Sequence, residues 1–456
     1  MAQKNFNILI IGSGPAGLFA AIWLEKLGMD KIAIVDRNSY PAGGLLNDGK
    51  LNFDYRVGMD INELQIDRGT AKKIMQEIKE ILIGFPRCRQ VTFIENNRKL
   101  QAIADMAAEH GAQFIAPEQW HWGTDNGKAL VDYLRGYLKK TDFLLNTEAV
   151  SIEKIGDNKF HIDCRRDNKK INYNARIILA APGRGGAYWF RDLARKMNIQ
   201  NNFGPIDVGI RLELNRKFYD FITDIVYDPK FIFTTGRHGD RIRTFCTNPG
   251  GRVRIENYGD FKLINGDALF GKKTRNTNFA LLNTVALTKP YSDTTEFGQS
   301  IARQFFLLGG GKPIVQRIGD FREGRRSSVA TFNSTVRHFE ICRATCNATP
   351  GDITLVMPAR IMDNLWESLK SLDKIIPGIL HPSTLIYAPE IKFFDTHFPT
   401  DRYLETNIKG VFVAGDGTGK SRGILGAAIS GIIAAKGSLN RLGKAFGNHL
   451  DWKSGS

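Results

Sequence analysis

The residues whose types and spacing could do chemistry gather at the two ends of this 456-residue chain. Near the start stands Gly12-Ser-Gly-Pro-Ala-Gly17. Glycines at this spacing allow a tight turn at Gly12, let the backbone approach a pyrophosphate at Gly14 with no Cβ in the way, and let a helix pack closely on a strand at Gly17. Pro15 and Ala16 lie in the turn ahead of that helix, whose free N–H groups and positive dipole end would face the phosphates. Asp36 lies about 20 residues further on, where a carboxylate can accept hydrogen bonds from ribose hydroxyls. Arg37 beside it can meet a phosphate. Near the end of the chain, Gly415-Asp416 opens a second glycine-rich run that reaches Gly423 and continues into Ile424 and Leu425.

The elements that must position these residues are legible around them. Residues 7–11 form a short β-branched run, residues 18–27 repeat apolar side chains at helical spacing, and residues 31–35 are a second buried strand ending on Asp36. That order predicts a βα unit gripping a dinucleotide, and by itself leaves NAD and FAD both open. Residues 143–150 and 176–183 read as further strands, the second ending in the small-residue turn Ala181-Pro-Gly183. Residues 410–416 read as a strand running into Gly415-Asp416, followed by an apolar, small-residue helix over 427–435.

Further candidates lie between the two ends. Residues 40–52 are dense in glycine and polar groups and contain Gly44, Leu45, Asp48 and Lys50. His121 and Asp125 in His-Trp-Gly-Thr-Asp could carry a proton. Cys246 sits in a Pro/Gly-rich stretch, and Asn276 and Asn278 could anchor polar groups of a substrate. Arg325 and Arg326 in Gly324-Arg-Arg-Ser offer two guanidinium forks suited to a carboxylate or phosphate.

Composition sets bounds on all of this. The length exceeds what one hydrophobic core usually serves, so two domains are expected. The formal charge of +16 draws anions, but the cations are scattered singly and the densest cluster, Arg322, Arg325 and Arg326, is short. A nucleic-acid surface is therefore the lesser reading, and solubility with a phosphate-bearing cofactor the greater. Five thinly spread cysteines show no repeated Cys-x-x-Cys spacing for a metal, so no metal is expected, and they fit a reducing cytoplasm. The apolar stretch 6–24 is broken by Gly12, Ser13, Gly14, Pro15 and Gly17, and 423–435 is shorter than the ~20 residues a span needs, so neither export nor a membrane anchor is expected.

The two-ended pattern resembles the FAD-binding fold of the glutathione-reductase class. The resemblance implies non-covalent FAD, with Asp416 on the ribityl chain and the backbone near Gly423, Ile424 and Leu425 facing the isoalloxazine O2. It also implies that the end of strand 143–150, at Val150, contacts adenine through its backbone. Ala181 and Gly183 would lie beside the cofactor, and Gly44, Leu45 and Lys50 beside the flavin ring, where Lys50 could stabilise negative charge. Strings across residues 5–440 are similar to a family of FAD-dependent dehydrogenases: Asn47-Asp-Gly-Lys-Leu51, His121-Trp-Gly-Thr-Asp125, Arg243-Thr-Phe-Cys-Thr-Asn-Pro-Gly-Gly251, Asn276-Thr-Asn-Phe-Ala-Leu-Leu282, Gln316-Arg-Ile-Gly-Asp320 with Gly324-Arg-Arg-Ser327, and Gly415-Asp-Gly-Thr-Gly419. Where that family carries more glycine and a serine ahead of Asp-Gly-Lys, this chain has Leu45-Leu46-Asn47, which implies an apolar patch near the flavin.

The expected fold is α/β: a Rossmann-type FAD-binding domain with an inserted mixed α+β substrate domain. Residues 1–203 and 401–445 would form the FAD-binding domain, 204–400 the substrate domain and 446–456 a tail. Gly309-Gly-Gly311 follows a helical segment and leads into a strand, the wrong order for a second dinucleotide grip, and the Cys-x4-Cys pair of disulfide reductases is absent. Reducing equivalents would come from a small-molecule substrate, from NAD(P)H bound transiently without its own Rossmann domain, or from an electron-transfer partner. The expected reaction is hydride transfer between flavin N5 and a small substrate, an anion among the candidates. A flavin-dependent monooxygenase stays open, although the His and Pro that usually follow its second motif are missing here. A flavin-containing tRNA-modifying or nucleic-acid-binding protein stays open on the sequence pI near 9.5. The oligomeric state is not encoded in any of these signals.

Overall fold

The structure is a computed structural model that describes residues 4–41, 43–46, 49–92, 98–287, 291, 293–332, 342–393 and 396–444. The chain divides into two units. The first comprises Met1–Cys88, Asp125–Gly204 and Phe394–Ser456, and the second Arg89–Thr124 and Pro205–Phe393.

The first unit is built on a seven-stranded sheet. Strand β1 (Lys4–Ile11) pairs in parallel with β2 (Ile32–Val35), and β2 with β3 (Thr141–Leu144). The next two, β4 (Thr147–Gly156) and β5 (Lys159–Arg166), pair antiparallel. Strand β6 (Lys169–Ala180) pairs antiparallel with β5, parallel with β1 and, at its end, parallel with β7 (Val411–Val413). Ile8, Leu9, Ile10, Ile177, Ile178 and Leu179 are fully buried, the near-continuous apolar run that parallel strands covered on both faces require. Helix α1 (Pro15–Lys26) follows β1 with Pro15 in its first turn, where the missing N–H costs nothing. Helix α2 (Ile424–Arg441) closes the unit.

The expected α/β class with parallel and antiparallel sheets holds. Both helices begin earlier than the apolar spacing predicts, at Pro15 rather than 18 and at Ile424 rather than 427, because glycine and proline lower apparent helicity while fitting helix starts well. The strand expected over 143–150 is two strands. Asn146 adopts φ +50°, its N–H donates to Asn38 O, and the chain leaves β2 to pair with β5. Val150 therefore lies inside β4, 47% exposed, and not at the strand end where adenine contact was expected.

The second unit is an eight-stranded sheet in the order Thr349–Pro350, Ile314–Arg317, Leu385–Lys392, Ile206–Asn215, Asn276–Val285, Arg241–Pro249, Lys230–Thr234 and Ala112–Ile115. All its pairs are antiparallel except that of Ile314–Arg317 with Thr349–Pro350. Residues 89–124 belong here, not to the nucleotide half as expected from their position before residue 203. Ala112–Ile115 completes the sheet edge against Lys230–Thr234, a long-range pairing that no local pattern announces. Along Ile206–Asn215 the even positions Ile206, Val208, Ile210, Leu212 and Leu214 enter the core with Leu365, Leu369 and Leu372 of helix Ala359–Ile375. The expected tail 446–456 lies outside the described residues.

Candidate functional site

In the first unit, segments far apart in sequence converge on one side-chain-poor cradle. The N–H of Gly12 donates to Val35 O at 2.8 Å, Ala181 N to Ile11 O at 2.8 Å and Ala414 N to Ala180 O at 2.9 Å, so β1, β6 and β7 end level with one another. Gly12 has φ +101°, and a Cβ there would collide with the Ala181 carbonyl, which explains why only glycine serves. A Cβ on Gly417 would strike the Gly183 carbonyl, and one on Gly415 would come within 3.2 Å of the Ala16 methyl. The glycine grip, the Ala181–Gly183 turn and the Gly415–Asp416 turn thus lie against one another. Around Gly14 a Cβ would find only Gly43 Cα, at 3.7 Å, which leaves the N-terminus of α1 open to a phosphate.

The acidic residues of the cradle differ in what they have left to offer. Asp416 Oδ1 accepts from Ser421 Oγ at 2.5 Å and from Gly423 N at 3.2 Å, fixing the turn into α2, and Oδ2 has no partner among the described residues. That free oxygen fits a hydroxyl-bearing chain. Asp36 is more fully engaged: Oδ2 accepts from Ser13 N at 2.9 Å and from the Ser13 hydroxyl, while Oδ1 accepts from Asn38 N and Asn38 Nδ2, both at 2.9 Å. A carboxylate has about four acceptor positions, so a ribose would share Asp36 with the glycine loop it already holds. Arg37 donates to Gly185 O at 3.2 Å across the turn that follows Gly183. Leu45 is buried in the short 3-10 turn Gly43–Leu46 with Gly44 partly exposed, and Lys50 is buried in Lys50–Phe53. Asn47 and Asp48 lie outside the described residues.

The other candidates scatter. His121, in the second unit, is 2% exposed; its Nε2 lies 3.3 Å from the Tyr227 hydroxyl and its ring stacks on Phe270. Asp125 is exposed and belongs to the first unit, so the pair read as one set is divided between units. Asn278 is fully buried, its Oδ1 accepting from Arg211 Nη1 at 2.8 Å and from Asn248 Nδ2 at 3.2 Å, while its Nδ2 has no hydrogen-bond partner among the described residues. Asn276 donates to Glu213 Oε1 at 3.0 Å and to Arg343 O at 2.7 Å. Cys246 sits at a break in strand register with φ +49°, its carbonyl accepting from Arg211 and Asn248. The Gly324 turn forms, but the Arg325 guanidinium is paired with Glu323; Arg326 is exposed.

The sequence reading missed a buried polar face in the second unit. Arg211 and Glu390, both fully buried, are joined by two hydrogen bonds of 2.6 and 2.7 Å, and Lys392 Nζ lies 3.0 Å from the same carboxylate. Glu213, also buried, accepts from the Tyr387 hydroxyl at 2.6 Å and from Thr345 Oγ1 at 2.5 Å. The signal was present as charged residues at alternate positions of a strand, 207, 211 and 213, a pattern that ordinarily marks a solvated face. It also missed Glu63 and Lys420, joined at 2.5 Å beside the cradle.

Residues 206–392 match the family model described as FAD-dependent protein, C-terminal domain-like. A Clostridium beijerinckii protein that carries the name "Uncharacterized protein" is 25% identical over 454 residues, covering 94% of this chain and 80% of that one. A thioredoxin reductase of Listeria innocua is 27% identical over 125 residues, 26% of this chain and 38% of its own length. Among solved structures, a flavoprotein/dehydrogenase from Cytophaga hutchinsonii is 13% identical with a TM-score of 0.41, covering 97% of this chain and 80% of that one. An E. coli quinol fumarate reductase is 13% identical with a TM-score of 0.45, covering 98% and 72%. Among the described residues no helix is long and apolar enough to cross a membrane. The family match over 206–392 and the cradle of the first unit agree on the cofactor: the chain is an FAD-dependent protein, and since the chemistry FAD carries is redox, it is an FAD-dependent oxidoreductase.

Proposed function

We propose that this oxidoreductase works as a dehydrogenase or reductase, moving a hydride between its flavin and a small organic substrate. The observation that carries the reading is the convergence of Gly12–Gly17, Ala181–Gly183 and Gly415–Asp416 on a cradle that added Cβ atoms would fill. When bound, FAD supplies a hydride donor and acceptor at N5. The chain's part is to hold and surround it. The α1 N-terminus and Gly14 would offer backbone N–H groups to the pyrophosphate, and Asp416 Oδ2 would accept from a ribityl hydroxyl. As in the glutathione-reductase class, the N-terminal backbone of α2 at Ile424 and Leu425 would face the isoalloxazine O2, a placement that suits developing negative charge. Lys50, buried in Lys50–Phe53, is the candidate cation beside the ring.

Cysteine chemistry of the disulfide-reductase kind is disfavoured on this chain's own thiols. All five are free, and burial pushes Cys88, Cys164 and Cys346 up to about 12, far from the thiolate that such exchange needs. The test is anaerobic. The yellow holoprotein is mixed with NADH, NADPH and a panel of small metabolites, carboxylates included, and absorbance near ~450 nm is followed. One donor should bleach the flavin and one acceptor restore it without oxygen. Oxygen insertion into substrate would replace this reading with a monooxygenase, and absence of bleaching even by dithionite would remove redox chemistry altogether.

A further inference from the structure

The run Gly417-Thr-Gly-Lys-Ser-Arg422 places a lysine among glycines directly after Asp416, where a free ammonium would be an obvious phosphate ligand. Its geometry is otherwise. The Lys420 side chain is 2% exposed, and Nζ lies 2.5 Å from Glu63 Oε1. His397 Nδ1 approaches the same oxygen at 3.9 Å. Partial burial works to raise Glu63, but His397 and Lys420 overcome it and hold its carboxyl at about 2; burial lowers Lys420, with Glu63 opposing.

We propose that Glu63 and Lys420 are positioning residues for the flavin, their ion pair holding the 416–423 turn in the form that receives the cofactor. The inference rests on the FAD reading above. It stands on where the turn is tied and where it is not. Within itself it is closed by Lys420 N to Gly415 O at 3.2 Å, Gly419 N to Asp416 O at 3.2 Å and the two bonds to Asp416 Oδ1. Outward, it meets the 54–66 segment at Arg422 N to Gly58 O, 2.8 Å, and at Lys420 to Glu63, while that segment is tied in turn by Gln65 Nε2 to Thr400 O at 3.0 Å. Three glycines, at 417, 419 and 423, make this turn entropically expensive to order. A tether formed before the cofactor arrives removes that cost from binding. Asp416, the residue that would meet the ribityl chain, sits four positions from the tether.

The test uses FAD itself as the probe. Lys420→Met, Glu63→Gln and Lys420→Arg are compared with the unsubstituted protein for FAD dissociation constant, visible circular dichroism of the bound flavin, and melting of the FAD-stripped protein. Lys420→Met and Glu63→Gln should each weaken FAD by about tenfold or more and alter the flavin dichroism, while the stripped protein melts within a few degrees of the original. Lys420→Arg should restore affinity to within about threefold, and the double replacement should cost no more than either single one. Unchanged FAD affinity and dichroism in both single variants would overturn the proposal. So would an equal fall in melting with and without FAD, the mark of a merely structural pair. If the unsubstituted protein takes up no FAD, the cofactor assignment itself fails, an outcome readable apart from the variants.

Discussion

Glu213 is a carboxylate taken out of water with its acceptors filled by Tyr387, Thr345 and Asn276. Burial nonetheless wins over these bonds and holds its carboxyl above the usual range. The folded protein therefore holds a proton there more readily than the unfolded chain does. Stability from this group is fully present below the ordinary glutamate range and is lost as pH rises through that range toward the raised folded value. Glu213→Gln should accordingly flatten the fall of melting temperature between acid and neutral pH; an unchanged pH profile would refute the assignment. Arg211 and Glu390 pose the complementary case. Removing Glu390 leaves Arg211 and Lys392 buried together, so Glu390→Gln should cost about 3–5 kcal/mol in urea unfolding, whereas replacing all three charges together, Arg211→Met, Glu390→Met and Lys392→Met, should cost much less. These residues illustrate why candidate catalytic side chains are harder to read from sequence than the cofactor grip. Gly12, Gly14 and Gly17 announce themselves because each has a steric duty fixed by spacing alone. Asn278 looks like a substrate anchor in sequence, and only its contact with Arg211, 67 positions away, reveals that its oxygen is already engaged.

Among the elements, α2 does the most to join the ends of the chain. A Cβ on Gly431 would strike the Ala16 carbonyl, so α2 and α1 approach backbone to backbone directly behind the glycine grip. Gly431→Val should force the helices apart at an overpacking cost of about 1–3 kcal/mol, and should weaken FAD as well because Ala16 belongs to the first turn of the gripping helix. Urea unfolding of the stripped protein and FAD titration check the two effects separately; lost stability with unaltered FAD affinity would show that the helix contact does not shape the grip. The strands and helices of the first unit were largely visible as apolar runs because parallel strands buried on both faces read almost without interruption. The break at Asn146 was not, since an asparagine inside an apolar run gives no sign of the left-handed turn that redirects the chain. Ala112–Ile115 was assigned to the wrong unit for a related reason. Its partner strand begins more than a hundred residues later, and pairing across such a distance leaves no periodicity to read.

For the whole molecule, the cofactor cradle is a non-local object. Its parts near residues 12, 183 and 415 are separated by long stretches of chain, and closing loops of that length is opposed by chain entropy even though the cost grows slowly with length. A ligand that binds all three parts must then stabilise them as one. At a FAD concentration of about 100 times its dissociation constant, linkage adds ~2.7 kcal/mol to whatever opening exposes the site. Amides in 12–18, 181–187 and 415–431 should therefore slow in hydrogen exchange together, by up to about 100-fold, and reach half of that effect at the same FAD concentration. Exchange followed by mass spectrometry across a FAD titration resolves the three segments. Slowing confined to 12–18 would mean that the first glycines hold a nucleotide alone, and that Gly415–Asp416 and the helix behind it play no part in holding the cofactor.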